Sequence, residues 1–290
     1  MALFSERYGY TKPSDIIIRE RITPEIQNAI YNCFLNLIEN LSSIDAENSR
    51  DFYTYRKIYT YSYIEKEVWI HFLNAKKTSY KRQFILNYIE NDAYEWYKKL
   101  DLIEYFISVF QYYVINNKTD SYKHIYTIFI KQLNKEFKKL NFAYHIIDGL
   151  IVEITSDQEI KAIEDVLSND SENVRNHFFQ ALELYSQRPE GNYRNSIKES
   201  ISAVEVFCRE KTGENTLGKA LNKLESNGIV IHKLLKSAFD KLYAYTNQQD
   251  TGIRHALMDN DGDYIPQAEE ALFMLVSCSA FINYINKKIK

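Results

Sequence analysis

Glycine and proline are scarce, with 8 Gly and 4 Pro in 290 residues. A many-stranded β fold draws on both at its turns, so the shortage argues against one and favours long helices. Cysteine is scarcer still. Cys33, Cys208 and Cys278 each sit inside an apolar helical pattern, which fits neither a disulfide framework nor a zinc site and reads as small core residues. No apolar run reaches the ~18 residues of a membrane span. The opening Met1-Ala2-Leu3-Phe4-Ser5-Glu6-Arg7 has no signal-peptide pattern. The expectation is a soluble cytoplasmic protein with no membrane partner. No charge of one sign dominates: 36 Lys and Arg face 39 Asp and Glu. Residues 171–290 carry equal numbers of each sign, so neither part has the basic surface of a non-specific nucleic-acid binder. Any RNA contact then needs a local patch, or one assembled across a dimer. The phosphate-loop, dinucleotide, zincin and nucleophile-elbow motifs are all missing. That argues against a nucleotide-driven motor, a dinucleotide oxidoreductase, a zinc protease and an α/β-hydrolase.

What is present is apolar and aromatic. Hydrophobic residues make up 45% of the chain, and tyrosine alone occurs 24 times. Tyrosine rings can stack on nucleobases or pack half-buried, and packing is the default reading. The length suits two domains. Thr23 can cap a helix that has Pro24 at its first position and Glu25 complementing the dipole. Ile26, Ile30, Cys33, Phe34, Leu37 and Leu41 follow at helical spacing. Further helices are expected near 54–74, 80–90, 93–116 and 121–139. In the last, Tyr122, Ile125, Phe129, Leu133 and Phe137 share a face. Residues 144–154 read as two short strands around an Asp148-Gly149 turn, and Asp15 to Arg19 as a possible strand. Ser156 with Glu159 forms a capping-box pattern. The polar Ser168-Asn169-Asp170 marks the expected boundary, giving a domain at 1–170 and another at 171–290. Helices near 171–187, 193–211, 216–227, 231–246 and 266–287 follow, the last opening on Pro266. The fold class is mainly α, with a small β-hairpin and a C-terminal helical bundle.

Three features bear on chemistry. Asp259-Asn260-Asp261-Gly262-Asp263 has acidic spacing suited to calcium, but Tyr264 stands where a calcium loop turns on Gly, and Pro266 follows. An acidic turn feeding a helix is the better reading, and no metal or other cofactor is expected. The six histidines His71, His124, His145, His177, His232 and His255 show no metal-ligand spacing. His177, in an amphipathic helix, reads as a structural or surface residue. Arg254-His255 follows the polar stretch Thr246-Asn247-Gln248-Gln249-Asp250. Arg can grip a phosphate in bidentate fashion, and His can move a proton near neutral pH. Spacing alone leaves two readings open: that chemistry, or a surface or capping dipeptide.

Resemblance to a known family narrows the choice. The stretch Arg194-Asn195-Ser196-Ile197-Lys198-Glu199-Ser200-Ile201-Ser202-Ala203-Val204-Glu205 resembles the C-terminal region of AbiJ-type abortive-infection proteins. So do Leu217-Gly218-Lys219-Ala220-Leu221, Gly252-Ile253-Arg254-His255-Ala256-Leu257-Met258-Asp259 and Phe273-Met274-Leu275-Val276-Ser277-Cys278-Ser279-Ala280-Phe281. The opening Phe4-Ser5-Glu6-Arg7-Tyr8-Gly9-Tyr10 is similar to the N-terminal domain often fused to it. The resemblance implies a HEPN-like C-terminal bundle. Many HEPN proteins are metal-independent ribonucleases working as dimers, through an Arg, a polar residue, a spacer and a His. Arg254 matches the Arg and His255 the polar residue. Asp259 stands near the place of the terminal His, and no His follows His255. The implied catalytic set is Arg254, His255 and Asp259, with Asp259 orienting the imidazole. Arg194, Asn195, Glu199, Ser202 and Glu205 are expected to line the same cleft or bind RNA.

Two functions compete. One is a phage-defence effector, a homodimeric ribonuclease whose N-terminal domain senses a phage-encoded trigger or is held by a neutralising partner. The other is a non-catalytic module for dimerisation and for RNA or protein binding, within a defence or toxin–antitoxin system.

Overall fold

The computed structural model describes residues 17–48, 59–117, 120–154, 156–187, 191–248, 253 and 264–289. They form two compact units that divide between Thr155 and Ser156. The fold is mainly α, with one small two-stranded sheet among the described residues.

The first unit begins with α1 (Pro24–Asn48), which starts as expected: Thr23 Oγ1 accepts from the Ile26 amide at 3.4 Å. Next come α2 (Thr60–His71), α3 (Phe84–Glu90), α4 (Trp96–Asn117) and α5 (Asp120–Lys139). The expected core stripes of α1 and α5 are all buried. Phe106 of α4 lies at their centre, with Phe34 and Phe129 edge-on at 5.0 and 5.9 Å. Two helices start later than their apolar pattern suggests, because their caps come from elsewhere in the chain. Asp45 of α1 accepts from the Thr60 amide at 2.7 Å and fixes the start of α2. Glu65 of α2 accepts from the Gln83 and Ile85 amides at 3.1 and 3.3 Å and fixes the start of α3, where Gln83 has φ 62°. The hairpin pairs β1 (His145–Ile147) with β2 (Leu150–Val152), in register Ile147 to Leu150. Asp148 and Gly149 both have positive φ, as the tight turn requires. Asn134 of α5 holds β1 through both its amide groups, at 2.8 and 2.9 Å from the Ile146 backbone. Ile18 forms a single bridge to Phe142.

The second unit comprises α6 (Asp157–Asn169), α7 (Glu172–Ser186), α8 (Tyr193–Thr212), α9 (Leu217–Ser226), α10 (Lys233–Thr246) and α11 (Ala268–Ile289). Its sequence-expected starts need two corrections. Ser156 precedes α6 but its side chain caps no amide; its hydroxyl meets Gln158 instead. Pro266 lies two residues ahead of α11, where Glu270 reaches back to the Gln267 amide at 2.8 Å. The expected stripe Ile197, Ile201, Val204 and Cys208 is buried. It packs on α11, which is long and apolar enough to cross a membrane by length and composition. Ala271, Leu275, Phe281 and Ile282 of that helix are buried in the bundle, so it serves here as a core helix.

Candidate functional site

Helix α8 carries all five of the expected cleft residues, and its burial divides it into two faces. Ser196, Ile197, Ser200, Ile201, Ala203, Val204, Phe207 and Cys208 are buried. At 100° per residue, Asn195, Glu199 and Ser202 fall together on the opposite side. Asn195 is exposed, while Glu199, Ser202 and Glu205 are half-buried. Arg194 lies on a different flank of the first turn. Its Nε is closed off from solvent and has no hydrogen-bond partner among the described residues.

Helices α7 and α8 form an antiparallel hairpin, and their contacts run in opposite numerical order. The Asn192 amide donates to Leu184 O at 2.9 Å. Ser196 Oγ donates to Ala181 O at 2.7 Å. His177 Nδ1 meets Glu199 Oε2 at 2.6 Å, and Asn173 Nδ2 reaches Glu210 at 3.2 Å. The register therefore brings an imidazole and a carboxylate together across 22 residues of sequence. The carboxylate only accepts, so Nδ1–H is the donor, and in the neutral ring Nε2 keeps its lone pair. Side-chain exposure is 33% for His177 and 17% for Glu199. The pair is thus partly open to solvent, with the carboxylate the more enclosed of the two.

Glu199 was legible as an off-core polar residue, but its partner was not. The signal lay in the hairpin connection at 187–192. A hairpin that closes there brings 199 beside the 177–181 stretch of the preceding helix, and the register of its ties selects 177. Arg254, His255 and Asp259 lie outside the described residues, as does the acidic stretch 259–263. Buried Ile253 leads into the first of these segments.

Other titratable groups have structural duties. His232 Nδ1 accepts from the Leu234 amide at the start of α10. Burial pushes the Cys33 thiol up to about 11 and those of Cys208 and Cys278 to about 12, which removes them as nucleophiles. Lys99 is buried and donates to Gln27 Oε1 at 2.7 Å; its burial lowers its pKa, and Asp92 partly restores it. Among the described residues, no three His, Cys, Asp or Glu side chains are placed to share a metal ion.

A family model described as AbiJ N-terminal domain 4 matches residues 2–169. The match runs one helix past the structural division at Thr155, because α6 packs with α7 and α11. No curated protein and no solved structure matches the chain.

Proposed function

The chain belongs to the AbiJ N-terminal domain 4 family, a family of abortive-infection proteins, and from that premise we propose that it is a phage-defence effector that cleaves RNA. In this reading the second unit is a HEPN-type ribonuclease that needs no metal and works as a homodimer. Arg254 grips the scissile phosphate and stabilises its charge in the transition state. His255 takes part in proton transfer, and Asp259 orients it. Asn195 and Ser202 hold the RNA strand, and Arg194, Glu199 and Glu205 line the same cleft. The first unit senses a phage-encoded trigger or receives a neutralising partner.

One observation carries the reading beyond the family: the outward face of α8. The side chains of Asn195 and Ser202 make no hydrogen bond to a described residue, and they flank a paired imidazole and carboxylate. A stripe of unengaged donors beside an acid–base pair suits a polyanionic substrate better than it suits helix packing.

The test is direct. The purified full chain is incubated with total RNA in EDTA, beside Arg254→Ala and His255→Ala. Cleavage by the parent should fall about 100-fold in each variant, the usual weight of such groups. A second reading rests on Asp259 standing near the place of the family histidine. There the unit only binds. RNA retained without cleavage by the parent under every condition would select it.

A further inference from the structure

We propose that His177 is the general base of the second unit and that Glu199 is its positioning residue. The inference rests on the ribonuclease reading, but it uses only residues whose geometry is described. Nothing in the family resemblance gives His177 a role.

The arrangement has the parts that proton transfer needs. The 2.6 Å contact fixes the ring tautomer, with Nδ1–H toward the carboxylate and Nε2 outward. Nε2 has no partner among the described residues, and a third of the side chain meets solvent. Both residues stand on helices, which hold a site more closely than loops do. Asn195 lies one turn before Glu199 on the same face and Ser202 one turn after. Together they offer an amide and a hydroxyl to a ribose or phosphate beside the ring.

A purely structural role explains less. The hairpin is already tied by Ser196 to Ala181, by Asn192 to Leu184, and by Ser171 and Asn173 to Glu210. The His177–Glu199 contact is one more tie across a hairpin that these four already hold. Nor does that role use the second ring nitrogen, which has no partner among the described residues.

The step balances without a co-reactant. Nε2 takes the proton from a ribose 2′-hydroxyl. The 2′-oxygen attacks phosphorus, and the bond to the 5′-oxygen breaks. The departing 5′-oxygen, on the opposite side of phosphorus, takes a proton from solvent, and Nε2–H gives its own to solvent. The products are a 2′,3′-cyclic phosphate and a 5′-hydroxyl. The substrate class is therefore RNA with an intact 2′-hydroxyl at the cleaved position.

The experiment compares the full-length parent with His177→Ala, His177→Gln, Glu199→Gln and Arg254→Ala on one RNA oligonucleotide. A copy with a single 2′-deoxy residue at the cleaved position is the control. His177→Ala should lose kcat by about 100-fold with KM nearly unchanged, and added imidazole should restore part of the rate. Glu199→Gln should lose about 10-fold in kcat, the scale of an orienting partner. Melting temperatures should stay near the parent's. Cleavage by either His177 variant at the parent's rate, with Arg254→Ala inactive, overturns the role of His177 and leaves the ribonuclease reading standing. His177→Gln makes the same decision if His177→Ala does not fold. A parent that cuts no RNA overturns both.

Discussion

Asp45, Glu65 and Lys99 lie buried inside the first unit, whereas the buried polar groups described in the second are the hydroxyls of Ser196, Ser200, Thr246 and Ser279. The contrast follows from how each unit ends its helices. In the first, α2 and α3 begin without a local cap, and carboxylates from other helices supply one. Asp45 is further committed to the Thr60 and Tyr122 hydroxyls, at 2.7 and 3.1 Å. Glu65 also accepts from the Tyr80 hydroxyl at 2.6 Å. In the second unit, Ser171 caps α7, His232 caps α10 and Glu270 serves α11, all from within three residues. With the caps supplied locally, Glu199 has no helix start to serve and meets His177 instead. The first unit's buried titratable groups are thus part of its fold, while the second carries its imidazole–carboxylate pair nearer the surface.

Removing the aromatic centre of the first unit should have the largest effect. Phe106 is fully buried among Phe34, Phe110 and Phe129. Phe106→Ala should cost about 3–5 kcal/mol. Hydrogen exchange on the full chain should show the loss in α1, α4 and α5. Exchange in the second unit rising equally would break the division into two units.

Glu65→Ala comes next. It leaves the Tyr80 hydroxyl and the Gln83 and Ile85 amides without their acceptor in a buried site, at a cost of about 3 kcal/mol. Its pH dependence sharpens the point. Burial raises the Glu65 pKa above its ordinary 4.5, and the hydrogen bonds from Tyr80 and the backbone offset this only in part. The folded unit therefore holds that proton more tightly than the unfolded chain does. The contribution is fully present below pH 4.5 and fades as pH rises through the folded value. Denaturant titrations at several pH values should show the parent losing stability relative to Glu65→Gln as pH climbs from 4.5. A difference that stays flat would mean the carboxylate is charged throughout.

Asp45 and Glu65 also mark where sequence reading stops. Thr23-Pro24, the Asp148-Gly149 turn and the α5 stripe were legible because each depends on neighbours within a few positions. The starts of α2 and α3 were not, because their caps lie 15 to 20 residues away. Ser156 and Glu159 had the pattern of a capping box without its bond. At the candidate site the polar face of α8 followed from helical period alone. The partner of Glu199 needed the hairpin register, which period does not give.

Ser196→Ala should have a smaller effect. Its hydroxyl crosses from α8 to Ala181 O, a backbone group that already belongs to α7. The other three buried hydroxyls bond to carbonyls of their own helices. The expected cost is about 1 kcal/mol, read from chemical denaturation. A loss of 3 kcal/mol or more would put the second unit on the same footing as the first.

The smallest effect is expected on the outward face of α8. Asn195 is exposed, and its side chain makes no hydrogen bond to a described residue. Asn at a helix position has lower propensity than Ala, so Asn195→Ala should leave stability within about 0.5 kcal/mol, or raise it slightly. Asn195 and Ser202 would then be residues the bundle does not need for folding. If they hold RNA beside the His177 ring, Asn195→Ala should weaken RNA retention in a filter-binding assay while the melting temperature holds. A destabilised Asn195→Ala with unchanged RNA retention would instead make this face part of the packing, and the contrast between the two units would narrow to the caps alone.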